Sequence, residues 1–344
     1  MNSRKLLLLI FGLLLVIGGV LGYSFYNKIF KPNTIEESYL YIPTGSDFKE
    51  VENLVRPFLK DVKPFVWVAE KLNYPDVVKP GKYKISKGMN NLELTRMLRS
   101  GIQTTVNLSF NNQDTFEKLA GRISKQIEAD SISLLKSFTG HAFLNKAGLE
   151  TAGALGMYIP NSYEFYWNTT AEEFRAKMLN EYNKFWDASR LEKAKKLNLT
   201  KNDVITLASI VQKETVSASE RPIVAKLYLN RLASNWPLQA DPTIIFALKA
   251  KLGNDVVIKR VFSKDLEIDS PYNTYKNAGL PPGPIAMPDI SSIEAVLNPA
   301  NHDYFYMCAS VTSFGTHEFA KTLEQHNRNA AKYQLWLNKQ GVNR

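Results

Sequence analysis

The chain has 344 residues, of which 44% are hydrophobic and 22% charged, with a formal net charge of +10 and one cysteine. This excludes a mainly disordered chain or a disulfide-stapled scaffold, and it is enough for one sizeable or two modest cores outside any membrane segment. The positive balance favours an anionic surface such as lipid head groups, wall polymer or nucleic acid. The basic residues are scattered, and no helix-turn-helix, zinc-finger or aromatic RNA-binding signature accompanies them, so no nucleic acid is expected as partner.

The first predicted element is a membrane helix. Leu6 to Tyr23 is an unbroken run of 18 uncharged, mostly apolar residues, just long enough to cross a hydrocarbon core. It passes into Tyr23, Tyr26 and Lys28, where aromatics and a base suit the interface, so it reads as a signal-anchor helix over 6–26 behind a cytoplasmic tail, 1–5. A cleaved signal peptide is the competing reading, but its apolar region is usually shorter. Arg4 and Lys5 precede the run, which keeps the N-terminus inside and exports the rest, an asymmetry weakened by Lys28 and Lys31.

A linker is expected over 27–36, around Lys31-Pro32-Asn33-Thr34. Between 37 and 104 the order reads strand (Tyr39 to Pro43), helix opening at Ser46-Asp47, helix, strand (Pro80 to Ile85) and a closing helix over Leu92 to Leu98, a small α+β module. The remaining 105–340 form a larger α+β domain. In it the helical spacing of Phe116, Leu119 and Ile123, and of Phe174, Met178 and Tyr182, marks ordinary core.

Chemistry first enters at Leu207 to Glu214. Thr200 and Asp203 form a capping-box start, and Val204, Leu207, Ala208 and Val211 recur with helical period, so an amphipathic helix is expected. At about 100° per residue Glu214 falls close to Leu207 and between Ile210 and Val211, whereas Gln212 and Lys213 point well away. A carboxyl drawn from water has its pKa raised, as a general acid near neutral pH requires. The plain alternative is a helix-end Glu pairing with Lys213 or Arg221. Cys308 follows Tyr304-Phe305-Tyr306-Met307, which reads as a buried strand, so a core thiol is expected.

Glu214 is followed by Ser219-Glu220-Arg221-Pro222, Tyr228-Leu229-Asn230-Arg231-Leu232 and Leu238-Gln239-Ala240-Asp241-Pro242-Thr243. Then come Ser270-Pro271-Tyr272-Asn273-Thr274-Tyr275, Gly279-Leu280-Pro281-Pro282-Gly283-Pro284-Ile285-Ala286, Gly315-Thr316-His317-Glu318-Phe319 and Glu324-Gln325-His326-Asn327. This ordered set, over about 204 to 330, resembles the endolytic murein transglycosylase (YceG-like) family. The resemblance implies a lytic transglycosylase that cuts the MurNAc-GlcNAc bond inside nascent peptidoglycan strands, leaves 1,6-anhydro-MurNAc ends and ends glycan polymerisation. It places the protein in the bacterial cytoplasmic (inner) membrane as a single pass, with the catalytic domain outside and penicillin-binding synthases as partners. It also implies a LysM-like character for 37–104, serving as wall-glycan contact or spacer.

Within that reading Glu214 acts first as acid and then as base, and Gln212, an amide that cannot transfer protons, leaves it alone on its helix. Asp241 either caps the helix through Ile244-Ile245-Phe246, or stabilises positive charge at the anomeric centre or holds the partners of Glu214. Asn230, Arg231, Gln239, Tyr272, Asn273 and Thr274 offer groups that grip sugar hydroxyls and amides, and equally could be satisfied turn residues. His317 is a candidate substrate donor, with Glu324 and Asn327 ordering its wall, and the Pro281 to Pro284 run is expected to wall the cleft. His317 and His326 are nine apart, without zinc-site spacing, so neither a metal nor a cofactor is expected. Two loops depart from the family pattern: Phe110 to Thr115 lacks its Pro-Glu-Gly-type turn, and Tyr158 to Tyr163 lacks its Phe-Pro-Asp-Thr-Tyr. The alternative function is a membrane-anchored peptidoglycan-binding scaffold without catalysis, which tolerates loss of Glu214.

Overall fold

The computed structural model describes residues 3–313 and 315–340, so Met1 and Asn2 of the expected cytoplasmic tail lie outside the described residues. The chain is α+β and divides into two compact units. The first comprises 1–108, 125–129 and 163–170, and the second 109–124, 130–162 and 171–344.

The first unit begins with α1 (Ser3–Phe30), in which Leu6–Phe30 is long and apolar enough to cross a membrane. The helix outlasts the expected boundary at 26 because its last turn has packing partners. The Phe25 and Trp67 ring centroids are 5.5 Å apart, the Lys28 ammonium lies 5.3 Å from the Trp67 centroid, and the Asn91 amide donates to the Lys28 carbonyl at 2.8 Å. The expected linker over 27–36 is likewise no loose tether. Asn33 and Thr34 are buried. Asn33 donates to the Asp61 carbonyl and to Asn91 Oδ1, both at 2.7 Å, and accepts from the Asp61 N–H at 3.0 Å, while the Thr34 hydroxyl donates to the Ser86 carbonyl at 2.7 Å. Short polar side chains here satisfy backbone groups of the turns that close the unit.

Beyond it come β1 (Ser38–Ile42), α2 (Phe48–Val55), α3 (Val62–Lys71), β2 (Gly81–Ile85) and α4 (Asn91–Ser100), the order that the sequence suggests. The strands pair antiparallel with Leu40 opposite Tyr83. Strand alternation sends Leu40, Ile42, Tyr83 and Ile85 to one face, where Val51, Val55, Phe65, Leu94 and Leu98 complete the core. Capping boxes from Asp47 with Glu50 and from Asn90 with Glu93 fix where α2 and α4 start.

The chain passes from unit to unit within β3 (Val106–Phe110) and β4 (Asn161–Phe165), and again at 124/125, 129/130 and 170/171. In the second unit α5 (Phe116–Ile123), α6 (Ser131–Thr139), α7 (His141–Ala147) and α8 (Ala171–Phe185) enclose an aromatic knot, with the Phe138 centroid 4.7 Å from Tyr158 and 5.9 Å from Phe174. After α9 (Ala188–Lys196) comes α10 (Lys201–Glu214), which opens on the expected capping box of Thr200 and Asp203.

This helix is not the amphipathic one expected. Every residue from Val204 to Gln212 is buried, because α11 (Arg221–Ala233), α12 (Asp241–Leu252) and α13 (Ile290–Leu297) all pack against it. A helix covered on all sides is a core helix. Of its buried polar residues, Ser209 is satisfied, its hydroxyl donating to the Thr206 carbonyl at 2.7 Å and accepting from the Ile285 N–H at 3.0 Å, whereas the Thr206 hydroxyl is buried without a partner. Gln212 does not point away from the core. Its side-chain oxygen accepts from the Asp289 N–H and from the Ser292 hydroxyl at 3.2 Å, which caps α13, whose own Asp289 side chain makes no cap bond.

The last layer pairs β5 (Tyr306–Ala309) with β6 (His317–Ala320), antiparallel with Ala309 opposite His317, against α14 (Leu323–Lys339). Cys308 is in a strand as expected but half-exposed, so its thiol is not a core group.

Candidate active site

Glu214 is the last residue of α10, and Thr215 leaves the helix in an extended conformation. The carboxylate is only partly exposed. From α11 the fully buried Tyr228 donates its hydroxyl to Glu214 Oε2 at 3.1 Å. Burial pushes the Glu214 pKa above the ordinary glutamate value. Positive charge on His317 and the Tyr228 bond oppose the rise, the negative charge of Asp241 adds to it, and Arg231 opposes it.

A second carboxylate, Glu220, sits buried at the start of α11 and collects three donors. These are the Thr215 hydroxyl at 2.7 Å, the His317 backbone N–H at 2.6 Å and His317 Nδ1 at 2.9 Å. With Nδ1 donating to a carboxylate, the ring is fixed in orientation, and Nε2 remains for other partners. Glu220 thus ties the turn after Glu214 to the first residue of β6.

Asp241 does not serve as the helix cap. Ala240 occupies that position without a side-chain bond, and Asp241 is the first helical residue, one step too far along to reach back to the free N–H groups. Its exposed carboxylate instead accepts from the Tyr275 hydroxyl at 2.6 Å.

The sugar-gripping candidates divide into two groups. Arg231 is buried and gives its guanidinium to backbone: Nε and Nη2 to the Phe305 carbonyl at 2.8 and 2.6 Å, and Nη1 to the Leu238 carbonyl. Asn230 donates to the carbonyls of His302 and Tyr304, both at 3.1 Å. Asn273 is buried and donates to those of Leu266 and Ile268, both at 2.8 Å, and the buried Thr274 hydroxyl meets the Ala240 N–H at 3.1 Å and Thr243 Oγ1 at 2.9 Å. These four hold loops in place. Gln239 is exposed with φ +51°, its N–H bonded to the Thr274 carbonyl at 3.0 Å, and Tyr272 is half-buried with its ring 4.5 Å from Phe246. Gln239, Asp241 and Tyr272 therefore keep polar groups for a ligand.

Glu324 and Asn327 stand on the exposed side of α14, where Glu324 pairs with Arg328 at 2.5 Å, and neither enters the hydrogen bonds around Glu214. Pro281, Gly283 and Pro284 are buried, and the Ile285 N–H just after them docks on Ser209, so this run packs on α10.

Tyr228, Tyr275 and Glu220 join the site without having been expected there from the sequence. The signal for Tyr228 was present: Val224, Tyr228 and Arg231 share one helical face, the buried stripe of α11. Nothing local marks Glu220, whose partner His317 is 97 residues away.

A family model described as the YceG-like family matches residues 40–332. Proteins called endolytic murein transglycosylase in Streptococcus pneumoniae serotype 2 and Bacillus subtilis are both 30% identical. The first aligns over 94% of this chain and 64% of its own length, the second over 93% and 91%. The chain thus spans a little under two thirds of the Streptococcus pneumoniae relative. A crystal structure of a yceG-like protein from Listeria monocytogenes is 28% identical with a TM-score of 0.56, covering 86% of this chain and 99% of that one.

Proposed function

This chain belongs to the YceG-like family, and from that premise we propose that it is an endolytic lytic transglycosylase acting on peptidoglycan. The observation that carries the reading is Glu214, a carboxyl with raised pKa at a helix end, held by Tyr228 and facing the charges of His317 and Asp241.

In the proposed reaction protonated Glu214 gives its proton to the glycosidic oxygen of the MurNAc-GlcNAc bond as that bond breaks. Positive charge then develops at the anomeric carbon, and the Asp241 carboxylate, oriented by Tyr275, offsets it. The C6 hydroxyl of the same MurNAc attacks that carbon and passes its proton to the Glu214 carboxylate, which restores the acid and leaves a 1,6-anhydro end. No water enters the balance. The Tyr228 bond stabilises the ionised carboxylate midway, and His317, held by Glu220 through Nδ1, turns Nε2 to the site, a donor when the ring is protonated. Gln239 and Tyr272 are the proposed sugar contacts. Asn230, Arg231, Asn273 and Thr274 serve by shaping the loops.

In the same reading α1 is an uncleaved single-pass anchor with its N-terminus inside. The LysM-like segment over 37–104 is glycan contact or spacer for the catalytic domain over 105–340, and polymerising synthases are partners. Mass spectrometry of peptidoglycan strands incubated with the full chain in detergent tests the activity. Internal cuts ending in 1,6-anhydro-MurNAc, absent with Glu214→Gln, uphold it. Reducing ends would make the protein a hydrolase with Asp241 as second carboxylate, and no cleavage by folded protein would favour the scaffold.

A further inference from the structure

A cavity of about 140 Å³ opens in the second unit, lined by residues of α5, α10 and α12. Its lining includes Lys213 and Pro242, the sequence neighbours of Glu214 and Asp241, while neither of those two carboxylates is among the lining residues. Three ammonium groups line it, Lys118, Lys213 and Lys249. Against them stands one carboxylate, Asp114, with Lys213 at 2.7 Å and Lys118 at 3.9 Å. Burial alone would raise the Asp114 pKa, but the Lys213 bond and the charges of Lys118 and Lys249 hold it below the ordinary value. The cavity therefore carries more positive charge than it neutralises.

Part of the lining is apolar. Pro242, Ile245 and Phe246 lie at i, i+3 and i+4 on one face of α12, with the Lys249 ammonium at i+7 on that face, and Ile285 adds a further apolar lining residue. A lining that combines excess ammonium groups with apolar surface describes a receptor for a carboxylate attached to a compact apolar group. A neutral sugar has no use for the ammonium groups, and a bare inorganic anion has none for the apolar wall.

We propose that this cavity is a subsite for a carboxylate of the stem peptide carried by the glycan strand, with Lys118 and Lys249 as its ion partners and the α12 face and Ile285 receiving an adjacent alanyl side chain. The proposal rests on the peptidoglycan reading and extends it from the glycan to its peptide. It gives a role to the loop containing Asp114, whose departure from the family pattern removes an expected acidic turn. Lys213 is the nearer counter-ion of Asp114 at 2.7 Å and Lys118 the farther at 3.9 Å, so one carboxylate is shared among three ammonium groups and the excess positive charge falls to Lys118 and Lys249.

The test compares the full chain in detergent with a Lys118→Gln, Lys249→Gln double variant on two substrates, glycan strands with native stem peptides and the same strands with every peptide carboxylate converted to an amide. Two half-exposed ion pairs together are worth about tenfold in kcat/KM. The expected result is that wild type favours native strands by about that factor, and that the variant loses the preference while cutting amidated strands at the wild-type rate. Equal cutting of both substrates by wild type, or an equal loss on both in the variant, would overturn the subsite. A binding arm separates this from failure of the peptidoglycan reading. If wild type cuts neither strand, calorimetric titration with muramyl pentapeptide decides: binding that is weakened by amidation and by the double variant keeps the subsite, and no binding removes it.

Discussion

Replacing Tyr228 with Phe isolates one hydrogen bond in the proposed mechanism. The ring stays in its fully buried position, and only the hydroxyl 3.1 Å from Glu214 Oε2 is lost. A hydrogen bond to a charged group contributes about 1.5–3 kcal/mol, which corresponds to roughly 10–100-fold in the ratio of protonated to ionised Glu214 at a given pH. The hydroxyl favours the ionised form, so its loss raises the Glu214 pKa further. Because the acid step needs the protonated carboxyl, the basic limb of the pH profile of kcat/KM moves to higher pH in Tyr228→Phe. At the same time kcat falls, since the carboxylate that must take the C6 hydroxyl proton is less stabilised. The assay is the initial rate of anhydro-product formation from about pH 4 to about pH 9, read for both proteins. A basic limb that stays in place or moves to lower pH, in a variant with native circular dichroism, would refute the assignment of Glu214 as the titrating acid.

Glu214→Gln is expected to abolish cleavage and to stabilise the fold at alkaline pH. The folded pKa is raised, so the cost of ionising Glu214 is absent below the unfolded value of about 4.3 and grows as pH rises to the folded value. The variant should therefore melt above wild type at about pH 8 and level with it at about pH 4, by calorimetry. Arg231→Met leaves the carbonyls of Phe305 and Leu238 without their donor and should cost about 3 kcal/mol or more in urea unfolding; a loss under 1 kcal/mol, as an order of magnitude for an exposed pair, would mean that the guanidinium is dispensable to the loops. At Gly283 an added Cβ would press into the Ala152 carbonyl, backbone against backbone, so Gly283→Ala should lower stability by about 1–3 kcal/mol, and an unchanged melting temperature would contradict that packing.

The legible parts of this chain are those written in local code. The Thr200 and Asp203 pair opens α10, Pro222 lies in the first turn of α11, and the alternation around Leu40 and Tyr83 marks the paired strands. Glu214 could be placed inward by helical period alone. Gln212 could not, because its burial depends on α13, whose backbone needs an acceptor about 77 residues away in sequence. The same holds for Asn230 and Arg231. Their residue types suit sugar recognition and loop bracing equally, and the choice is made by carbonyls 72 to 74 residues downstream. Asp241 failed as a cap by a single residue, a shift within the ordinary uncertainty of a helix start.

The unbroken join between α1 and its unit has a mechanical consequence. Leu6–Phe30 measures roughly 37 Å at 1.5 Å per residue, more than a hydrocarbon core of about 30 Å. Embedded as proposed, the helix meets a thinner bilayer by leaning, and with Asn33 and Thr34 bonded in place there is no slack to absorb the lean. For every 10 Å from the helix axis, a tilt of about 20° displaces the first unit by roughly 3 Å along the membrane normal. Bilayer thickness would thus set the attitude of this unit above the lipid, as a stiff mast fixes its platform, and lipid composition becomes a mechanical input to where the first unit rides.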